Sequence, residues 1–218
     1  MQIKLQSDNY QVLLNTLGAE LNSYTDPSGK EYVWNSDPTY WLRSSPLLFP
    51  TVGNLRNGET VIKNHIYPMP KHGFCKESEF EVIEQTEDSV TFLLKANENT
   101  LKFYPYNFEL YLSYYLNGKN MCMDYRVVNK DSDLMYYHIG AHPGFMLPVE
   151  DEETIENCIL KFENEEDFVS YEYDLENLEY NEDHIITQKA EGATLPLTIP
   201  MFDQDAIFFE HTNCFIFK

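Results

Sequence analysis

The sequence predicts an all-β fold, a mostly antiparallel sandwich, on three observations. Apolar residues alternate with polar ones at every second position more often than they recur at helical spacing. Aromatic residues make up 15% of the chain, with 16 Tyr and 14 Phe, side chains that suit a pleated, half-buried surface. The 11 Pro and 9 Gly fall mostly between the apolar runs, where they mark turns. At 218 residues, one sandwich domain spanning 1–218 is expected, since all-β domains often stay single at this length.

The clearest element runs from Phe108 to Leu116, where Phe108, Leu110, Leu112 and Tyr114 fall on one face of a strand. Asn117-Gly118 follows as a hairpin signal, and Met121 to Asn129 alternates again. Shorter strands are expected at Gln11 to Leu14, Ser89 to Leu94, Ile159 to Phe162 and Ala206 to Phe209. Tyr104-Pro105-Tyr106 and Trp34 to Pro38 read as loop entries, because proline gives a ladder no N–H. The acid-rich stretches Glu150 to Glu156 and Glu163 to Asp183 are broken by aromatics. They read as a solvated, loop-rich excursion between strands rather than an acidic tail.

A formal net charge of −21 repels phosphate backbones and anionic lipid, so neither nucleic acid nor a membrane surface is an expected partner. The first residues, Met1 to Asp8, lack the basic and apolar regions of a signal peptide, and no apolar run approaches the ~20 residues of a spanning helix. A cytoplasmic location is the expectation. Cys75, Cys122, Cys158 and Cys214 show no Cys-x-x-Cys spacing, so free thiols are expected rather than a zinc site or a redox pair.

Two of the six histidines occupy turn-like contexts. His72 opens His72-Gly73-Phe74 after Tyr67-Pro68-Met69-Pro70-Lys71, and His142 lies within Gly140-Ala141-His142-Pro143-Gly144-Phe145. Either one alone is more simply a structural imidazole bonded to main chain. His138 and His142 are four apart, but Pro143 and the preceding Met135-Tyr136-Tyr137 favour strand and then loop over a metal-binding helix. The sequence shows no Gly-x-Ser-x-Gly elbow, phosphate loop or Gly-x-Gly-x-x-Gly fingerprint. Acid–base chemistry from histidine and carboxylate is what remains.

The order of several segments is similar to that of the aldose 1-epimerase (galactose mutarotase) family, in particular its LacX-like branch. They are Leu17-Gly18-Ala19-Glu20-Leu21, Glu31-Tyr32-Val33-Trp34, Trp41, Pro46-Leu47-Leu48-Phe49-Pro50-Thr51-Val52-Gly53, Asn57-Gly58, Tyr67 to Phe74, Glu79 to Val82, Tyr104 to Phe108 and Ile139 to Phe145. The resemblance implies a galactose-mutarotase-like β-supersandwich and a hexose ligand. It also implies interconversion of α and β anomers with no metal and no organic cofactor.

Carried over residue by residue, His142 resembles the family's general acid and His72 the histidine near the ring oxygen. Arg56 resembles the sugar-binding arginine, and Asp205 the carboxylate that contacts sugar hydroxyls. Trp34 and Trp41 are candidate stacking faces. The family's general-base glutamate has no counterpart, since Glu210, the one glutamate after Asp205, stands in a different context. The last strands of the family domain are therefore expected to be missing, which would favour a homo-oligomer formed through an open sheet edge. The same gap raises an alternative, a noncatalytic carbohydrate-binding module that has lost its base.

Overall fold

The computed structural model describes residues 1–147, 154–162, 168–174, 179–188, 193–203, 209 and 215–217. The chain divides into two compact units, Met1–Met146 and Leu147–Lys218. Every strand pair among the described residues is antiparallel, as the alternation predicts. No described helix is long and apolar enough to cross a membrane.

The first unit opens with a three-stranded meander of β1 (Gln2–Ser7), β2 (Tyr10–Asn15) and β3 (Glu20–Thr25). A two-residue β4 (Leu47–Leu48) follows, then the hairpin of β5 (Glu59–Ile62) and β6 (His65–Pro68). The main sheet comprises β7 (Glu81–Gln85), β8 (Ser89–Lys95), β9 (Phe108–Asn117) and β10 (Asn120–Asn129), in the order β10-β9-β8-β7. A two-residue β11 (Gly140–Ala141) pairs with β4.

One core joins the meander to the main sheet. Ile3, Leu5, Val12 and Leu14 meet Phe92, Leu94, Leu110 and Leu112 in it, and all eight are buried. Strand β9 alternates as expected, with Phe108, Leu110, Leu112, Tyr114 and Leu116 all buried. The Tyr114 hydroxyl cannot reach water there, and it donates to the Ala19 carbonyl at 2.8 Å, closing one sheet onto the other.

The hairpin after β9 sits one residue later than the Asn117-Gly118 signal suggests. Asn117 pairs with Asn120, so the loop is Gly118-Lys119, with Gly118 at φ +59 in the first loop position. A glycine-first two-residue loop suits the right-handed twist of the flanking strands. Among the described residues strand β10 is an edge of its sheet; its inner residues Met121, Met123, Tyr125 and Val127 are only partly covered.

The second unit contains β12 (Ile159–Phe162), β13 (Phe168–Asp174), β14 (Glu179–Gln188), β15 (Thr194–Pro196) and β16 (Phe215–Phe217). Strand β12 lies between β15 and β16, and Phe162, Ala193 and Leu195 form a small core. The loop-rich excursion expected over 163–183 is corrected here, because β13 and β14 pair as antiparallel strands across most of it. Val169, Tyr171 and Tyr173 recur at every second position, a strand pattern that the surrounding charge masks in the sequence. The strand expected at Ala206 to Phe209 lies outside the described residues but for Phe209. Cys75 is a buried free thiol, Cys158 is buried, Cys122 is half-buried, and Cys214 lies outside the described residues.

Phe49, fully buried just past β4, is the aromatic hub of the first unit. Its ring lies 5.3 Å from Phe108, 5.5 Å from Tyr137, 5.9 Å from Tyr104 and 6.3 Å from Phe74, centroid to centroid. Its carbonyl accepts the Phe74 N–H at 3.1 Å, which joins the strand to the His72-Gly73-Phe74 turn. We expect Phe49→Ala to lower unfolding free energy by about 3–5 kcal/mol in urea titrations, through lost burial and a residual cavity. Phe49→Leu should lose visibly less.

Candidate active site

Three segments converge beside β4. The first is β4 itself with its continuation to Gly53, the second the turn at His72-Gly73, and the third β11 with the loop through Phe145. Gly140 pairs with Leu48 and Ala141 with Leu47, so His142 leaves the ladder at its end. On the other side Phe49 bridges to Gly73. A Cβ at Gly73 would stand 2.1 Å from the Phe49 carbonyl oxygen, and its φ is +72, so only glycine permits this approach.

This arrangement brings His72 and His142 together. Their ring centroids are 5.7 Å apart with planes at 66°. His72 itself adopts a left-handed backbone, φ +66, an uncommon conformation for a residue with a Cβ. Two hydrogen bonds to Gly53 hold it there: the His72 N–H donates to the Gly53 carbonyl at 2.9 Å, and the Gly53 N–H donates to His72 Nδ1 at 3.0 Å. Because Nδ1 accepts, the proton of the neutral ring sits on Nε2, where it can be donated to a ligand.

Burial, then the charges of Lys76, His142 and Lys71 in that order, hold the His72 imidazole down at about 4. It is therefore a neutral donor at physiological pH. His142 is exposed, and the Trp41 ring flanks it at 5.0 Å. The Trp34 indole N–H donates to the Trp41 carbonyl at 2.9 Å, and the Gly144 carbonyl accepts the Trp34 N–H at 2.9 Å. The two indoles thus brace the loop that carries His142. A Cβ at Gly144 would meet Trp34 Cβ at 2.7 Å and Trp41 Cζ3 at 3.0 Å.

An ionic clamp fixes the segment that leads into β4. Buried Glu20 accepts the backbone N–H groups of Ser44 at 2.8 Å and Ser45 at 3.1 Å, and its other oxygen takes the Arg43 guanidinium at 3.1 Å. Arg43 also pairs with Glu77 and donates to the Lys76 carbonyl at 3.1 Å, tying this segment to the chain just after His72. Nothing in the sequence marks Glu20 and Arg43 as partners, because they sit in separate motifs.

Of the other expected site residues, Arg56 is exposed and begins a 3-10 turn, Arg56–Gly58, three positions past Gly53. Asp205 and Glu210 lie outside the described residues. Among the described residues no carboxylate is hydrogen-bonded or ion-paired to either imidazole. Sequence reasoning missed Gly53 as the group that sets the His72 tautomer; a glycine following the Pro50-Thr51-Val52 run was the available signal.

An antiparallel β scaffold that presents two facing imidazoles on loops, one a fixed neutral donor, has the layout of a site for proton transfer. Comparison with known proteins gives the family: the aldose 1-epimerase model matches residues 1–211, and the chain belongs to that family. It is 39% identical over 168 residues to the plasmid-encoded Protein LacX of Lactococcus lactis subsp. lactis, covering 74% of this chain and 56% of that protein. The chain thus spans just over half the length of that curated relative. A galactose mutarotase related enzyme from Lactobacillus acidophilus superposes with a TM-score of 0.89 at 31% identity, over 95% of this chain and 68% of the other. A galactose mutarotase-like protein from Lactobacillus casei gives 0.81 at 28% identity, over 90% and 67%. The galactose-mutarotase-like fold expected from the motifs is therefore the observed one.

Two outcomes are expected of this geometry. The His72 resonances should titrate near pH 4 in NMR, with Nε2 carrying the proton above that pH. An imidazole neutral down to about 4 when folded, but protonating near ~6.5 when unfolded, leaves the unfolded chain binding more protons between those values. Stability should therefore fall as pH drops through that window, and His72→Asn should flatten the slope. Separately, Gly144→Ala should cost about 1–3 kcal/mol by overpacking against both tryptophans, seen as a lower denaturant midpoint.

Proposed function

We propose that this chain binds a hexose and interconverts its α and β anomers by acid–base ring opening. The observation that carries the proposal is the pair of facing imidazoles, 5.7 Å apart, one with its Nε2–H directed away from its Gly53 anchor. Membership of the aldose 1-epimerase family supports it.

Ring opening breaks the bond between the anomeric carbon and the ring oxygen. A proton reaches the ring oxygen while the anomeric hydroxyl loses one, giving the open-chain aldehyde. Rotation about the adjoining carbon–carbon bond presents the other carbonyl face, and reclosure returns both protons. In this scheme His142 delivers the proton to the ring oxygen, since its ring is exposed and can exchange with solvent. His72 is held neutral and donates a hydrogen bond through Nε2, orienting the same oxygen without giving up its proton. Arg56 offers a fork of donors to sugar oxygens, and Asp205 an acceptor for hydroxyls. Proton removal from the anomeric hydroxyl requires a carboxylate base, and among the described residues none is hydrogen-bonded or ion-paired to either imidazole. The setting is the cytoplasm, and copies would associate through an open sheet edge.

Polarimetry of freshly dissolved α-galactose or α-glucose tests the proposal. The folded protein should speed the approach to anomeric equilibrium over buffer, and His142→Ala should lower that acceleration by about 10²–10⁴-fold while leaving the circular dichroism unchanged. No acceleration by a folded sample sinks the enzymatic reading. Sugar binding in calorimetry without anomer exchange would instead select the noncatalytic carbohydrate-binding alternative.

A further inference from the structure

Lys76 lies four residues after His72, in a 3-10 turn over Cys75–Glu77. Its ammonium donates at 2.9 Å to the carbonyl of Lys71, the residue immediately before His72. The charge therefore sits one peptide unit from the residue that carries the fixed imidazole. The backbone of Lys76 is held from the other side, because the Arg43 guanidinium donates to its carbonyl at 3.1 Å.

The acids of this region are taken by another cation. Glu77, the next residue in the chain, pairs with Arg43, and so does buried Glu20. Among the described residues the Lys76 ammonium has no ion pair. Its own partial burial lowers its proton affinity, with the Glu77 charge opposing that effect and the charges of Arg43 and Lys71 adding to it. The hydrogen bond does not by itself call for a charge, since Lys71 is exposed and water can satisfy its carbonyl. What the lysine adds is a positive field beside His72 that no paired carboxylate cancels. The other groups that bear on that ring are His142, Lys71 and the Gly53 N–H, which occupies Nδ1. A proton on Nδ1 would face the Gly53 N–H as a second donor and Lys76 as a second positive charge.

We propose that Lys76 is the positioning residue of the imidazole pair: it holds the peptide ahead of His72 and keeps that ring an uncharged donor, which leaves His142 to deliver the proton. Arg43 serves this role indirectly, by drawing Glu20 and Glu77 to itself and away from the lysine. The kinetic consequence rests on the acid–base reading of the site, whereas the charge state of the His72 ring can be read without turnover.

NMR titration of the His72 ring in the full chain is the first test. In Lys76→Met, which keeps most of the apolar stem, the His72 midpoint should move up from about 4 by about 0.5–1 pH unit. Lys76→Gln should move it in the same direction and serves if the methionine variant does not fold. Lys76→Arg should return the midpoint to that of the unaltered protein, and Lys71→Met should move it less than Lys76→Met does. In polarimetry, the pH below which acceleration is lost should rise with the His72 midpoint in Lys76→Met and fall back in Lys76→Arg. A midpoint that neither Lys76→Met nor Lys76→Gln moves overturns the proposal, as does a shift that Lys71→Met equals or that Lys76→Arg fails to reverse. An active protein whose pH profile ignores a shifted midpoint overturns it too. The expected midpoints in a protein that accelerates no anomer exchange, unaltered or substituted, would support the action of Lys76 on His72 and count only against the acid–base reading.

Discussion

The side chain of Phe49 is enclosed by Phe74, Tyr104, Phe108 and Tyr137, while its carbonyl accepts the Phe74 N–H from the turn that carries His72. One residue therefore belongs to both the hydrocarbon core and the hydrogen-bond frame of the imidazole pair. Two aromatic-anchored segments meet along the same stretch: His72-Gly73 on one side of it and β11 with His142 on the other. Interior packing is close to crystalline density, so a shift at Phe49 passes directly into the spacing of the two rings.

Around that anchor, polar groups that would be costly to bury are matched. Glu20 takes two backbone donors and a guanidinium, and the Tyr114 and Tyr104 hydroxyls each find a carbonyl. Glu31 similarly accepts the N–H groups of Tyr24, Tyr32 and Val33 at 2.8, 3.0 and 2.9 Å, steadying the strand exit that leads to Trp34. The Thr51 hydroxyl stands apart from this pattern, buried without a hydrogen bond among the described residues.

The two imidazoles differ in environment although both come from loop motifs. His72 is half-buried, held by Gly53 and kept neutral, whereas His142 is exposed and flanked by an indole. Two groups of the same chemical type in unlike surroundings differ in how readily they take up a proton. Trp41 contributes by contact with the second ring and Trp34 by supporting Trp41, so the pair of indoles acts on the site through the loop they hold.

Period-two alternation, turn residues and motif order by themselves determined the antiparallel class, the β9–β10 hairpin and the family resemblance. Those features are written in neighbouring residues, where strand geometry acts on a few positions at a time. The acid-rich stretch shows the limit of that reasoning: charge obscured the alternation of Val169, Tyr171 and Tyr173, and paired strands stood where a loop was expected. Only the tertiary structure decided that His72 and His142 face each other, that Gly53 selects the tautomer, and that Glu20 clamps Arg43. These are contacts between residues remote in the chain, created when the sheets pack and Phe49 seats between them, and no local pattern encodes a distance of that kind.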